Sequence, residues 1–190
     1  MISKKKSIKK TGQILFFKHG YSAVRVEQIC LKANVCKRTF YKYYANKTSL
    51  VISILADFCK KENDIFLKYK DSNLTFKNKI LSILEDKIKL LDSAEAKFFV
   101  EILEQDGEIK DFATKKITDG DRDFFKFVSD EQNKGNVRND ISASLISYIL
   151  TKKLREMVFD PEIEKMVPNL SERLDIIVKI LLTGLLIEEI

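Results

Sequence analysis

Ile8, Gly12, Leu15, Phe16 and His19 fall on one face of a helical repeat, and the stripe stops at Gly20. This predicts a first helix ending at the glycine, which enters the left-handed region without steric cost. Val26, Ile29, Cys30 and Ala33 predict a short second helix ending at Asn34, a residue that tolerates the same conformation. A tight turn leads into a third short helix from Lys37 to about Tyr44. There Phe40 and Tyr44 face inward, leaving Lys37, Arg38, Thr39, Tyr41, Lys42 and Tyr43 more outward. Two short helices around a tight turn make a helix-turn-helix.

Further along, Asn46 reads as the N-cap of a longer helix. Its apolar face carries Leu50, Ile54, Leu55 and Phe58, and it runs to about Tyr69 before Asp71-Ser72-Asn73 breaks it. Ile80, Leu81, Leu84, Ile88 and Leu91 mark another helix; Phe98, Phe99, Ile102 and Leu103 mark a shorter one ending near Asp106-Gly107. A polar-interrupted segment follows to Gly135, with Phe112, Phe124, Phe127 and Val128 as apolar positions and Gly120 as a kink. Gly135 to Asp140 is a loop, and Ser142 caps a helix from Leu145 to Val158 that stops before Pro161. Ser171 caps a last helix, apolar on several sides from Leu174 to Ile187. Such a helix needs partners on more than one side, and a second copy of the chain is the simplest source. No stretch alternates with period two over strand length, so the predicted fold class is all-α.

Composition agrees: two prolines and six glycines leave little material for turns between short strands. The longest apolar run, Ile176 to Ile187, contains Lys179 and falls short of the ~18–20 residues of a membrane span. The basic start, MISKKKSIKK, lacks a small-residue cleavage site, so a cytoplasmic protein with no membrane partner is expected. Cys30, Cys36 and Cys59 with one histidine form no disulfide set and no zinc spacing, so no metal and no cofactor are expected. Cys30 and Cys36 read as packing residues and His19 as a helix-end donor. Asp119-Gly120-Asp121-Arg122-Asp123 lacks the glycine position and terminal glutamate of a calcium loop. Without a nucleophile motif or phosphate loop, no enzyme activity and no catalytic residue are expected.

Charge changes the picture. The first fifty residues hold twelve Lys/Arg against one acid, Glu27, a net of +11; the remainder holds 22 bases and 27 acids, a net of −5. A separation this sharp suggests a module that meets a polyanion, carried on a body that does not.

From Ile8 to Leu50 the order and spacing of residues resemble the TetR family of bacterial transcriptional regulators. The resemblance is carried by Leu15-Phe16, Lys18-His19-Gly20-Tyr21, Val26 with Ile29, and Ala33-Asn34-Val35. It continues through Cys36-Lys37-Arg38-Thr39-Phe40-Tyr41-Lys42-Tyr43-Tyr44 and Asn46-Lys47. It implies an N-terminal three-helix helix-turn-helix DNA-binding domain at 1–47, followed by a larger helical effector-binding and dimerisation domain at 48–190. With the third helix in the major groove, it implies Lys37, Arg38, Thr39 and Tyr43 at base edges and Arg25, Tyr41, Lys42 and Lys47 on phosphates. Tyr44 is read as core. Three departures from the family pattern stand out. Val24-Arg25 replaces the hydroxyl cap of the second helix, Cys36 replaces the serine that opens the recognition helix, and Arg38 replaces a small residue. Arg38 adds a fork able to bond guanine O6 and N7.

Beyond Leu50 the resemblance is architectural. It implies a homodimer through the last two helices, about 142–159 and 171–189, and a small-molecule effector. Phe98, Phe99, Ile102, Phe112, Phe124 and Tyr148 supply the aromatic lining such an effector prefers; each fits core packing equally, and Tyr148 fits a dimer face. The implied function is a sequence-specific DNA-binding regulator, a repressor released from a palindromic double-stranded DNA operator by an effector. The alternative is a helical dimeric interaction protein that has lost specific DNA reading. The missing caps speak for the alternative and the +11 balance against it.

Overall fold

Ser3 opens the first helix, α1 (Lys4–His19), by accepting from Lys6 N–H, in a computed structural model describing residues 3–91 and 93–183 apart from the side chains of Arg155, Ser171 and Thr183. Gly20, at φ 77°, closes α1 by donating its N–H to Phe16 O at 2.8 Å. α2 (Val26–Lys32) runs out through Asn34, at φ 51°, and Val35 N–H returns to Cys30 O at 3.0 Å. α3 (Lys37–Tyr43) buries Phe40, and Tyr44 is buried directly after it. Asn46 caps α4 (Lys47–Lys70): its Oδ1 accepts from Ser49 N–H at 2.7 Å, and Ser49 Oγ accepts from Asn46 N–H at 3.1 Å. α5 (Phe76–Leu91) and α6 (Ala94–Leu103) follow as their apolar stripes predict.

Four expectations need correction. The polar-interrupted segment is one 27-residue helix, α7 (Gly107–Asn133), and Gly120 is a helical position within it. An interior glycine costs a helix about 1 kcal/mol relative to alanine, and the buried Ile109, Ala113, Phe127 and Val128 outweigh that. Ser142 caps α8 (Ala143–Tyr148) as expected, but the helix widens into a π segment, Ile149–Lys153, before α9 (Leu154–Val158). There Thr151 Oγ1 donates to Ser147 O at 2.9 Å, a side-chain intrusion of the kind that disturbs a backbone ladder. Pro161 does not merely end a helix; it stands in the first turn of α10 (Pro161–Met166), capped by Asp160, where its missing N–H costs nothing. Finally, α11 (Leu170–Thr183) opens before Ser171, with Asn169 Oδ1 accepting from Glu172 N–H at 3.0 Å. The side chain of Ser171 and the stretch from 184 to Ile187 lie outside the described residues.

The chain divides into two compact units, Met1–Glu62 with Leu91–Lys116, and Asn63–Leu90 with Ile117–Ile190. In the first, Ile8, Phe16, Ile29, Phe40, Leu50 and Ile54 are buried together with Phe98, Phe99 and Ile102 of α6. The Phe98 ring lies 6.1 Å from Phe16 and 5.2 Å from Phe17, and Phe99 lies 5.4 Å from Phe58. A Cβ on Gly12 would stand 2.7 Å from Cδ2 of the buried Leu50, so the glycine permits the close approach of α1 to α4. In the second unit, Phe127 packs between Phe66 and Phe76 at 5.7 and 5.6 Å. Beneath them Lys79 Nζ meets Glu131 Oε1 at 3.1 Å, both buried. Among the described residues no strand occurs, and no helix is long and apolar enough to cross a membrane.

Candidate nucleic-acid interface

The buried Phe40–Tyr44 line orients α3. Arg38 and Lys42, four residues apart, lie opposite that line and are exposed, as are Lys37 and Tyr41; Thr39 and Tyr43 are half-buried. Tyr41 sets its ring edge-on to Phe40 at 5.3 Å and keeps 51% of its surface exposed. Lys42 Nζ lies 5.9 Å from the Tyr43 ring centre. One short helix therefore presents three cations and two phenol rings from a single apolar anchor.

Lys37 reaches back to α2, where its Nζ lies 2.6 Å from Glu27 Oε1. That bond holds the Glu27 carboxyl below its usual range and raises the lysine. Arg25 is exposed at the start of α2. The hydroxyl cap is missing, but Gln28 Oε1 accepts from Arg25 N–H at 2.7 Å, which satisfies the cap residue's own N–H rather than those of the first turn. Cys36 supplies no cap bond to α3; its Sγ lies 3.2 Å from Thr39 Oγ1, a contact that lowers the thiol's pKa.

Lys47 is turned inward. Its ammonium donates to Tyr21 O at 2.7 Å and Val24 O at 3.0 Å and sits 4.1 Å from the Tyr21 ring centre. Burial pulls its pKa down, against the pull of Asp106. Two of its three protons are thereby on carbonyls, and the ammonium lies against the Tyr21 ring.

Three further residues complete this corner, and residue-type reasoning along the chain missed them in these roles. Tyr21 Oη lies 2.9 Å from Thr48 Oγ1 and donates to Asp106 Oδ2 at 3.0 Å, while Thr48 donates to the same oxygen at 3.1 Å. Asp106 Oδ1 accepts from Glu108 N–H and Ile109 N–H at 3.1 and 3.3 Å, capping α7. Burial pushes the Asp106 carboxyl up, but these bonds outweigh it and hold the group below its usual value. The helix-start pattern Asp106-Gly107-Glu108 is visible in the chain; its partners 85 and 58 positions away are not.

The six candidate effector residues are distributed between the units. Phe98, Phe99 and Ile102 are buried in the first, and Phe112 is half-buried there. Phe124 is half-buried in the second, 6.2 Å from Phe66 and 5.8 Å from Phe127; Tyr148 is 49% exposed there.

Residues 10–54 match the family model of bacterial regulatory proteins, tetR family. A transcriptional regulator from Aquifex aeolicus is similar over 94% of this chain and 99% of its own, at 25% identity and a TM-score of 0.66. SmeT, the repressor of the Stenotrophomonas maltophilia multidrug efflux pump SmeDEF, is similar over 97% and 91%, at 13% identity and a TM-score of 0.72. FadR from Bacillus subtilis, solved in complex with stearoyl-CoA, is similar over 94% and 97%, at 16% identity and a TM-score of 0.65. No curated protein matches the sequence.

Proposed function

We propose, from the premise that residues 10–54 and the all-helical fold make this a tetR-family protein, that the chain is a homodimeric, sequence-specific transcriptional regulator. The observation that carries the reading is the outward face of α3, where Arg38, Tyr41 and Lys42 project from a segment of net charge +11. Arg38, Lys37, Thr39 and Tyr43 are assigned to base edges, and Arg25, Tyr41, Lys42 and the remaining proton of Lys47 to phosphates. The Glu27 pair on Lys37 is exposed and opens at small cost, which frees Lys37 for a base edge. The alternative of a protein that has lost DNA reading draws on missing caps, and the +11 charge of the first fifty residues stands against it.

A dimer is supported by apolar side chains left open on α8 and α11: Leu145, Tyr148, Ile176 and Ile180 are 40–65% exposed. Two recognition helices set about 34–36 Å apart read a palindrome. The regulator is proposed to be a repressor that a small apolar molecule releases. The support is that SmeT is a repressor and that FadR was solved with stearoyl-CoA. Within the second unit Phe124 and Tyr148 keep surface accessible to such a molecule; within the first Phe112 does, whereas Phe98, Phe99 and Ile102 would have to part from their packing to reach one. Differential affinity for two dimer states then couples ligand to DNA, typically by about 1–3 kcal/mol.

The test is selection of bound sequences from a random duplex pool, followed by salt titration of the winner for wild type and for Arg38→Ala with Lys42→Ala. A palindromic winner, a steep loss of affinity with salt and a shallower slope in the double variant are expected. Absence of any enriched sequence at low salt overturns the reading.

A further inference from the structure

The family model covers residues 10–54, yet the compact unit that contains them also takes in Leu91–Lys116. Two carboxylates gather the polar contacts across that unit: Glu95 accepts from Gln13 and Lys61 on the outer faces of α1 and α4, and Asp106 accepts at the helix-turn-helix corner. Asp106 divides its two oxygens: Oδ1 accepts from the backbone N–H groups of Glu108 and Ile109, and Oδ2 accepts from Tyr21 and Thr48. Tyr21 belongs to the α1–α2 corner and Thr48 to the first turn of α4, so the oxygen that faces away from α7 joins both flanks of the helix-turn-helix. Two hydroxyl protons serve the three contacts among Tyr21, Thr48 and Asp106, so at least one is always directed at the carboxylate. Next to them, Lys47 holds the backbone carbonyls of Tyr21 and Val24 on the same corner. Ser22 Oγ adds a bond to Gln105 Oε1 at 3.2 Å, beside Asp106 in the chain.

We propose that Asp106, outside the helix-turn-helix, is a positioning residue for DNA reading: it fixes the α1–α2 corner and the start of α4 against the start of α7. The inference rests on the DNA-binding reading above. Hydrogen bonds to a charged acceptor are the stronger kind. A displacement at the start of α7 must therefore carry the corner with it or break both hydroxyl bonds. Because α2 begins five residues after Tyr21, at Val26, the corner sets how α2 and then α3 leave the helix-turn-helix.

Full-length Asp106→Asn, Tyr21→Phe, Thr48→Val and the Asp106→Asn/Tyr21→Phe pair test this on the selected operator, with thermal denaturation of each. Asp106→Asn and Tyr21→Phe should each weaken operator binding about tenfold, as loss of one charge-assisted bond predicts. Thr48→Val should weaken it less. The slope of affinity against salt and the selected sequence stay as in wild type, because no phosphate or base contact is lost. The double variant should be no worse than the poorer single one, since both remove the same bond.

A shallower salt slope would mean that the substitution itself removes a phosphate contact, and would overturn the proposal. So would additive losses, or lowered thermal stability with undiminished affinity per folded molecule. A second reading needs no DNA: amide hydrogen exchange in Asp106→Asn should quicken between residues 21 and 36, with 137–158 unchanged. If wild type enriches no sequence, the regulator reading fails, and unchanged exchange at 21–36 separately overturns the role of Asp106.

Discussion

Among the lysine–glutamate pairs of the two units, one exposed pair in the first and one buried pair in the second do opposite work. In the first, Lys37 and Glu27 meet at 2.6 Å with side chains 57% and 56% exposed; in the second, Lys79 and Glu131 meet at 3.1 Å with 6% and 1% exposed. The shorter pair is the weaker one. Water already solvates both of its ions, so it can be opened at small cost. The longer pair is committed, because neither ion can return to water without opening the core. Lys134 Nζ and Asn136 Nδ2 also donate to Glu131, at 3.0 and 2.8 Å, but both residues are exposed, so its loss would orphan the buried Lys79 ammonium alone. An exposed pair and a buried pair thus use the same residue types, and burial decides which can open and which cannot.

The contrast can be broken most severely at Glu131. Glu131→Leu leaves the buried Lys79 ammonium unpaired and should cost about 3–5 kcal/mol, read as a lowered urea midpoint. Lys79→Met added to Glu131→Leu should recover most of that loss; if it recovers none, the pair is not what holds the two helices.

A smaller effect lies in acid. Asp86, which accepts from Tyr69 Oη at 2.7 Å and Lys68 Nζ at 3.0 Å, is held down to about 2 by these two bonds. Its folded pKa lies below the unfolded value near about 3.9. The stability it supplies is therefore complete above about pH 4 and lost as pH falls towards about 2. Asp86→Asn should flatten the fall of the urea midpoint over that window, and an unchanged profile would remove Asp86 from the account.

The smallest effect on stability belongs to Glu27. Glu27→Gln should leave the denaturation midpoint where it is and raise operator affinity by less than an order of magnitude at low salt. A fall in affinity would mean that Glu27 orients Lys37 rather than competes for it.

Much of the first fifty residues could be read without a structure. Asn34 at positive φ, Gly20 at the end of α1, Asn46 on Ser49, and Phe40 with Tyr44 turned inward all follow from bonds and spacings within a few residues. The C-terminal part was less legible for a local reason: Pro161 fits both the stop of one helix and the first turn of another, and only Asp160's two bonds favour the second.

The sequence alone determined the all-helical class, the helix-turn-helix, the charge divided between +11 and −5, and the outward residues of α3, because periodicity, caps and composition are local or additive. Tertiary structure decided that Lys47 turns to carbonyls, that Glu131 buries its charge beside Lys79, and that Asp106 reaches Tyr21 and Thr48. Each of those depends on burial and on which distant segments meet. Neither is encoded in the spacing around any one residue.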